Sequence, residues 1–496
     1  MGRAVVALVA LAGSAAGSPD CDTYTTCESC ASASSWLGEG CRWCPLAGDG
    51  ACHAYASPEN SCSSAQEVAN ATACAAVYAP SQVHFAFAGR GGDGMAVSWT
   101  TRGETAGGVV FGLEADALDR NASGASATYL ESFQHTAVLG GLEPATRYHF
   151  KVGGGSRGLW SDVFSFTTAK AAGAAYEPFR VAVLGDLGRR QYGGGDVLDS
   201  LGEHRGDFDF LWHLGDIGYA DDALLHDPLS FTYETAYDEF MDQVMESFGT
   251  TLPHMVAPGN HEAECHSPAC MASPLGRAKK LNNFSAYNAR FRMPSAESGG
   301  SGNMWYSFDH GPLHVVTIDT ETDFPGAPSD SYLPILDTGG FCDALGCGDW
   351  LPWLEADLKA VDRTKTPWVV VGGHRPLYSL RTVDADGTPN GDSVALIAAV
   401  EDLFVAYGVD LYVCGHIHAY ERQRPIRNVT YIVTGAGGED EGHSDYSDHG
   451  NGEWNVFWDN TTYGYAILDV ISDTEMTFTQ IAAATGATLD RVSFAK

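Results

Sequence analysis

Apolar and polar positions follow two different rhythms along this chain. Between Pro80 and Ala169 the apolar residues come in short alternating runs separated by turn residues: Val83-His-Phe-Ala-Phe, Met95-Ala-Val-Ser-Trp-Thr100, Gly108-Val-Val-Phe-Gly112, His135-Thr-Ala-Val-Leu, Tyr148-His-Phe-Lys-Val152 and Val163-Phe-Ser-Phe-Thr-Thr168. A period of two at such intervals predicts the strands of an all-β sandwich over residues 80–169. From Pro178 onward, solid apolar runs alternate with helix-like segments at Tyr233 to Phe248, Asp349 to Val361 and Val394 to Tyr407. This alternation predicts βαβ units and an α/β domain over residues 178–480, in which ligands gather at the carboxyl ends of strands. The Ala- and Gly-rich stretch from Lys170 to Glu177 reads as the linker between the two.

The amino terminus obeys neither rhythm. Arg3, an apolar run from Ala4 to Ala12 and the small residues up to Ser18 read as a secretory signal over residues 1–17. Eight of the 13 cysteines then fall between Cys21 and Cys74. A segment of that size, residues 18–77, is too small to fold on apolar burial, so disulfides must carry it; zinc held by the Cys27-x-x-Cys30 and Cys41-x-x-Cys44 pairs is the rival reading. Both the signal and the cysteine density point to a secreted, extracellular protein. The acceptors Asn70, Asn121, Asn283, Asn428 and Asn460 fit that setting as glycosylation sites. With 28 Lys+Arg against 63 Asp+Glu, the formal charge is −35. Such a surface repels nucleic acid and anionic lipid, and no apolar segment is long enough to span a membrane.

Five polar constellations change the picture. Val181-Ala-Val-Leu-Gly-Asp186, Leu211-Trp-His-Leu-Gly-Asp216-Ile-Gly-Tyr219, Val256-Ala-Pro-Gly-Asn260-His261-Glu262, Trp368-Val-Val-Val-Gly-Gly-His374 and Gly415-His416-Ile-His418 each end an apolar run in Gly or Pro-Gly and then offer a carboxylate, phenol, amide or imidazole. Singly, each fits a helix cap, a turn or a hydrogen-bonded core residue. In this order they resemble the five motif blocks of the purple acid phosphatases, within the calcineurin-like metallophosphoesterases. Asn303-Met-Trp-Tyr-Ser-Phe-Asp-His-Gly311, Gly373-His-Arg-Pro376, His418-Ala-Tyr-Glu-Arg422 and Thr434-Gly-Ala-Gly-Gly438 extend the resemblance over most of the chain. Gly141 to Tyr148 resembles the strand corner of a fibronectin type III domain, and the Cys-x-Trp-Cys step at Cys41 to Cys44 resembles a plexin-semaphorin-integrin (PSI) module. The implied fold is multidomain: a PSI-like module, a fibronectin-like sandwich, then a four-layer α/β metallophosphoesterase sandwich.

The resemblance implies a dinuclear site. A carboxylate reaches two ions with its two oxygens, and Asp216 matches the family's bridge. Fe(III) would take Asp186, Asp216, Tyr219 and His418; a divalent zinc, manganese or iron would take Asp216, Asn260, His374 and His416. The implied chemistry is hydrolysis of phosphate monoesters by a metal-bound hydroxide between cations about 3.5–4 Å apart, with Asn260, His261 and His374 binding substrate and His261 protonating the leaving group. A phosphodiesterase or pyrophosphate hydrolase with the same metals, and an extracellular adhesion protein that has kept a metal site, are the alternatives. Small phosphorylated substrates are the implied partners, with room for a homodimer and for a protein partner of the N-terminal module.

Plant members carry a histidine pair after the position of His374, where this chain reads Thr382-Val383-Asp384. Arg375, Tyr378 and Arg381 are substitutes by proximity in sequence. The polar run from Gly438 to Trp454, with His443 and His449, reads as a solvated loop or a pocket lid. Cys265 with Cys270 and Cys342 with Cys347 fit short clips, which leaves Cys414, in an apolar strand, as an inert thiol.

Overall fold

A computed structural model describes residues 21–33, 40–45, 51–54, 67–70, 73–130, 132–155, 158–222, 233–263, 284–328, 350–384, 386–447 and 452–496. The expected signal, Asn283, His449 and the pairs Cys265/Cys270 and Cys342/Cys347 lie outside them. The chain divides into two compact units, one of residues 1–79 with 101–105 and 131–133, the other holding the rest.

In the first unit, disulfides join Cys21 to Cys41, Cys27 to Cys74 and Cys30 to Cys52. Cys44 is disulfide-bonded as well. Sulfur is therefore spent on cross-links rather than on zinc. These bridges tie a short helix, Cys27–Ser32, to an antiparallel pair, Cys41–Trp43 with Cys52–Ala54, and to the helix Cys74–Tyr78. Thr26 and Ser29 cap the first helix reciprocally, which satisfies the N–H groups of both.

The second unit starts with the predicted sandwich. One sheet runs Ser81–Phe87, Gly94–Thr101, Ser132–Gly140, Ala125–Tyr129; the other runs Leu159–Trp160, Arg147–Gly154, Gly108–Gly112, Arg120–Ser123, with Phe164–Thr167 also on Arg147–Gly154. Phe85, Phe150 and Phe166 pack ring to ring between them. Tyr148 is buried, and its hydroxyl accepts the Glu143 N–H at 3.1 Å. The expected linker is pinned rather than loose: the Tyr176 hydroxyl donates to Asp473 at 2.8 Å, and Lys170 pairs with Asp209.

Two mixed sheets build the remainder. The six-stranded sheet has the order His254–Ala257, Phe210–Leu214, Phe179–Leu184, Gly464–Ser472, Glu475–Ala482, Thr488–Ala495. Its first three strands are parallel, in register Val181 to Phe210 and Leu211 to His254. The seven-stranded sheet has the order Tyr306–His310, Leu313–Thr317, Trp368–Gly372, Leu411–Cys414, Thr430–Thr434, Tyr420–Gln423, Asn455–Asp459. Its parallel core pairs Leu313 with Trp368, Val370 with Leu411 and Leu411 with Thr430. Every residue of the strands Phe210–Leu214, His254–Ala257, Trp368–Gly372 and Leu411–Cys414 is buried, as expected where both faces of a parallel sheet are covered. Among the described residues, no helix is long and apolar enough to cross a membrane.

Candidate metal centre

Each parallel core ends in glycine followed by a polar residue, and the two sets of ends face each other. Gly415 makes the approach possible: a Cβ there would stand 2.2 Å from an Asp186 carboxylate oxygen. Gly215, at φ +85°, lets its backbone pass the His374 ring, which a Cβ would meet at 2.6 Å. The six-stranded sheet thereby delivers Asp186, Asp216, Tyr219 and Asn260, and the seven-stranded sheet delivers His374, His416 and His418. Oxygen donors come from one sheet and imidazoles from the other.

The donors meet closely. His374 Nε2 lies 3.0 Å from Asp216 Oδ2 and 3.0 Å from Asn260 Oδ1. His416 Nδ1 lies 2.9 Å from the same amide oxygen and 3.2 Å from His374 Nε2. On the other side, the Tyr219 hydroxyl is 3.2 Å from Asp186 Oδ1 and 3.1 Å from His418 Nε2. Two clusters able to hold a cation result, Asp216 with His374 and His416, and Asp186 with Asp216 and His418. Asp216 belongs to both. All the residues expected at the metals are thus brought together, and none is left elsewhere.

Their ring orientations are fixed from behind. The Nδ1–H groups of His374 and His418 donate to the carbonyls of Leu214 at 2.8 Å and Gly442 at 3.0 Å, which leaves each Nε2 facing the centre. Burial would lower the pKa of His374, but Asp216, 3.0 Å from its Nε2, outweighs burial and pushes it up to about 9, so the two donors share a proton that a metal would displace. Carboxylates, a phenol, an amide oxygen and imidazoles converging on one point fit a metal pair. The backbone carries strain for the same end. Asp186, Asp216, Tyr219 and His416 adopt φ of 62°, 55°, 49° and 69°, a region that side chains other than glycine rarely occupy.

Electrostatics separate the donors. Burial, with Asp216 close by, holds the Asp186 carboxyl well above its usual range. Burial alone would raise Asp216 too, but His374 and His261 outweigh it and hold Asp216 low. Burial pushes His418 down to about 4, which keeps its ring neutral as a ligand must be. Burial, reinforced by Asp186 and Asp216, holds the Tyr219 phenol well above its ordinary value.

His261 stands over the pair. Its ring lies against Tyr219 with centroids 4.4 Å apart, its Nδ1 is 2.9 Å from Asp221, and its Nε2 is 3.9 Å from Asp216 Oδ2. Burial would lower its pKa, but Asp221 and Asp216 outweigh burial and hold it well above the usual histidine value. A cavity of about 290 Å³ opens here, lined by Asp216, Asn260, His261, His416, His418, Glu441, Gly442 and Ser444.

Three family profiles match the chain in sequence: "Purple acid Phosphatase, N-terminal domain" over residues 80–168, "Calcineurin-like phosphoesterase" over 179–420 and "Iron/zinc purple acid phosphatase-like protein C" over 428–491. An acid phosphatase A of Cryphonectria parasitica is 33% identical, with 74% of this chain and 81% of that one covered. Purple acid phosphatase 21 of Arabidopsis thaliana is also 33% identical, over 73% of this chain and 72% of its own. The chain belongs to the purple acid phosphatase family. In fold it is similar to the purple acid phosphatase PPD1 of yellow lupin seeds, with a TM-score of 0.65 at 21% identity, covering 84% of this chain and 74% of that one.

Against that family background, several residues do not stand where sequence proximity put them. Tyr378 turns its hydroxyl to Glu401, and Arg375 is buried between Glu321 and Asp392, with its Nη1 3.3 Å from His416 Nε2. Neither lines the cavity, and Arg381 does not line it either. Thr382, Val383 and Asp384 belong to a local turn closed by Asp384 N–H to Thr388 O, not to the cavity. The run after Gly438 is a wall rather than a solvated loop: the His418 N–H donates to Ser444 Oγ at 3.0 Å, and the Ser444 N–H returns to His418 O at 3.1 Å. Asn460, expected to carry glycan, donates from Nδ2 to Ser444 O at 3.0 Å, whereas Asn70, Asn121 and Asn428 are exposed. Cys414 is buried, and burial pushes its thiol well up.

Glu262 was visible in sequence without a role. Its carboxylate accepts the N–H groups of Asp216 at 2.8 Å, Ile217 at 2.7 Å and Gly259 at 2.9 Å, locking two donor loops together. Its adjacency to Asn260-His261 was the available signal.

Proposed function

We propose that this chain is a secreted, dinuclear-metal acid phosphatase that hydrolyses phosphate monoesters. The observation that carries the reading is Asp216, whose carboxylate belongs to both cation-binding clusters. Asp186, Asp216, Tyr219 and His418 would hold Fe(III), and Asp216, Asn260, His374 and His416 a divalent zinc, manganese or iron ion. Two cations so held supply Lewis-acid chemistry, neutralising charge on phosphate oxygens and lowering the pKa of water. The Tyr219 phenol supports the trivalent choice. Buried beside two carboxylates it is a poor acid, so only a strongly charged ion holds it as phenolate.

The protein's own groups do the rest. Asn260, which lines the cavity, orients phosphate; His374, also expected to bind substrate, is buried outside the lining with its Nδ1–H on Leu214 O, and serves as a ligand only. His261, with Nδ1 held by Asp221, turns Nε2 toward the cavity and hands a proton to the departing alcohol. The disulfides of the first unit support an oxidising, extracellular setting.

The test is a paired assay on the iron- and zinc-loaded chain with p-nitrophenyl phosphate and its bis-ester, together with a visible spectrum. Turnover of the monoester well above that of the bis-ester, with a phenolate-to-iron absorption band, is the expected result. Preference for the bis-ester moves the reading to a phosphodiesterase. A band with no turnover of either moves it to a non-catalytic metal-holding protein.

A further inference from the structure

The wall loop brings one charged group into the cavity that has no place among the expected donors. Glu441 Oε2 stands 4.0 Å from His261 Nε2 and 3.9 Å from His418 Nε2. Its side chain is 44% exposed, so the carboxylate sits at the mouth, between the centre and solvent. Among the described residues that line the cavity there is no lysine or arginine. Among these described residues, positive charge is supplied by His261, beside what the cations would bring.

Much of the cations' charge is already answered by Asp186, Asp216 and Tyr219. A single phosphate is accommodated by what remains. A carboxylate on the His261 side acts on the next group along, the one joined to phosphorus through the bond that breaks. It opposes a second negative charge there and attracts a positive one.

We propose that Glu441 is a specificity-determining residue that sorts substrates by the charge of the group esterified to phosphate. Esters with an ammonium near the phosphate, of the phosphoethanolamine kind, are favoured over uncharged alkyl esters, and both are favoured over compounds that carry a second phosphate. This rests on the acid phosphatase reading and narrows its substrate class. One unit charge acting across a half-open pocket changes the preference by about three- to tenfold.

The experiment compares kcat/KM for O-phosphoethanolamine, ethyl phosphate and pyrophosphate on the metal-loaded full chain, its Glu441→Gln variant and a Glu475→Gln control. Glu475 is the exposed first residue of the inner strand Glu475–Ala482, and its substitution removes the same charge away from the cavity. In Glu441→Gln, the phosphoethanolamine-to-ethyl phosphate ratio falls about three- to tenfold and the pyrophosphate-to-ethyl phosphate ratio rises as much, while Glu475→Gln leaves both ratios in place. Unchanged ratios in Glu441→Gln, or equal shifts in the control, overturn the proposal.

Calorimetry with inorganic phosphate and methylenediphosphonate reads the same filter without turnover. Glu441→Gln tightens the diphosphonate relative to phosphate if the filter exists. If that happens in a protein that hydrolyses no ester, the charge filter stands and the phosphatase reading falls. Hydrolysis with no shift in either ratio or in binding leaves the phosphatase reading and removes the filter.

Discussion

Four of the expected donors hold a left-handed backbone, at about 1–3 kcal/mol each; at His416 the Asp186 side chain offsets this by accepting the N–H, and at Asp216 Glu262 does the same. Its carboxylate meets three N–H groups; the amide of Glu262→Gln would turn a donor against at least one of them. The expected result is a loss of about 2–3 kcal/mol in stability and about 10- to 100-fold in metal affinity, read by denaturant titration and by competition with a chelator. Unaltered metal affinity would show that the donor loops hold their shape alone. His261 makes a different prediction. Without it the donors are intact, so His261→Ala keeps metal and colour but loses about 100-fold or more on alkyl phosphates, and far less on p-nitrophenyl phosphate, whose leaving group needs no proton. Equal losses on both would remove the general-acid role. The donors were legible because a metal pair restricts residue types so severely that their order alone carried the pattern. Glu262 and Glu441 were not legible as parts of the site. The role of one depends on which backbone amides converge on it, and that of the other on a loop folding back over His418.

Strands buried on both faces were legible where the run leads into a polar motif, as Trp368–Gly372 does, whereas the equally buried Leu313–Thr317 was not singled out. In the sandwich, the segments missed were outer strands. Arg120–Ser123 alternates half-buried with exposed positions, and Ala125–Tyr129 buries only Tyr129, so neither shows an apolar period. The joint between sandwich and α/β elements was also hidden, since it is polar and long-range. Arg90, on a sandwich turn, pairs with Asp357 at 2.7 Å, and Asp357 also accepts from Ser307 at 2.7 Å and meets His314 Nε2 at 2.9 Å. His314 Nδ1 is 2.6 Å from Asp309. Burial would lower the pKa of His314, but the hydrogen bonds to Asp309 and Asp357 push it up to about 9. A folded pKa above the unfolded value of about 6.5 stabilises fully below that value and is lost as pH rises through about 9. Denaturant titrations at about pH 6 and about pH 10 should therefore differ by about 2–3 kcal/mol more in the parent chain than in His314→Gln. The same pH dependence in both would place the sensitivity elsewhere.

At the scale of the whole molecule, charge is the dominant unresolved force. The formal charge of −35 is spread over a chain with 28 Lys+Arg, so most carboxylates have no basic residue to pair with. Several of the basic residues are committed inward, as Arg290 is to Asp238, stacked between Tyr129 and Tyr237, and Arg375 is to Glu321. Long-range repulsion between the remaining surface carboxylates works against compactness, and salt screens it while hardly touching buried pairs such as Arg189 with Asp440. Raising NaCl from about 20 mM to about 0.5 M shortens the screening length from about 20 Å to about 4 Å, so the melting temperature should rise by several degrees. The same change should speed capture of anionic substrates, because the outer field that repels them is screened before the cations of the centre are. Opposite signs for the two effects would mean that the charge is locally neutralised. A fall in melting temperature with salt would mean that ion pairs, rather than repulsion, control the stability of the fold.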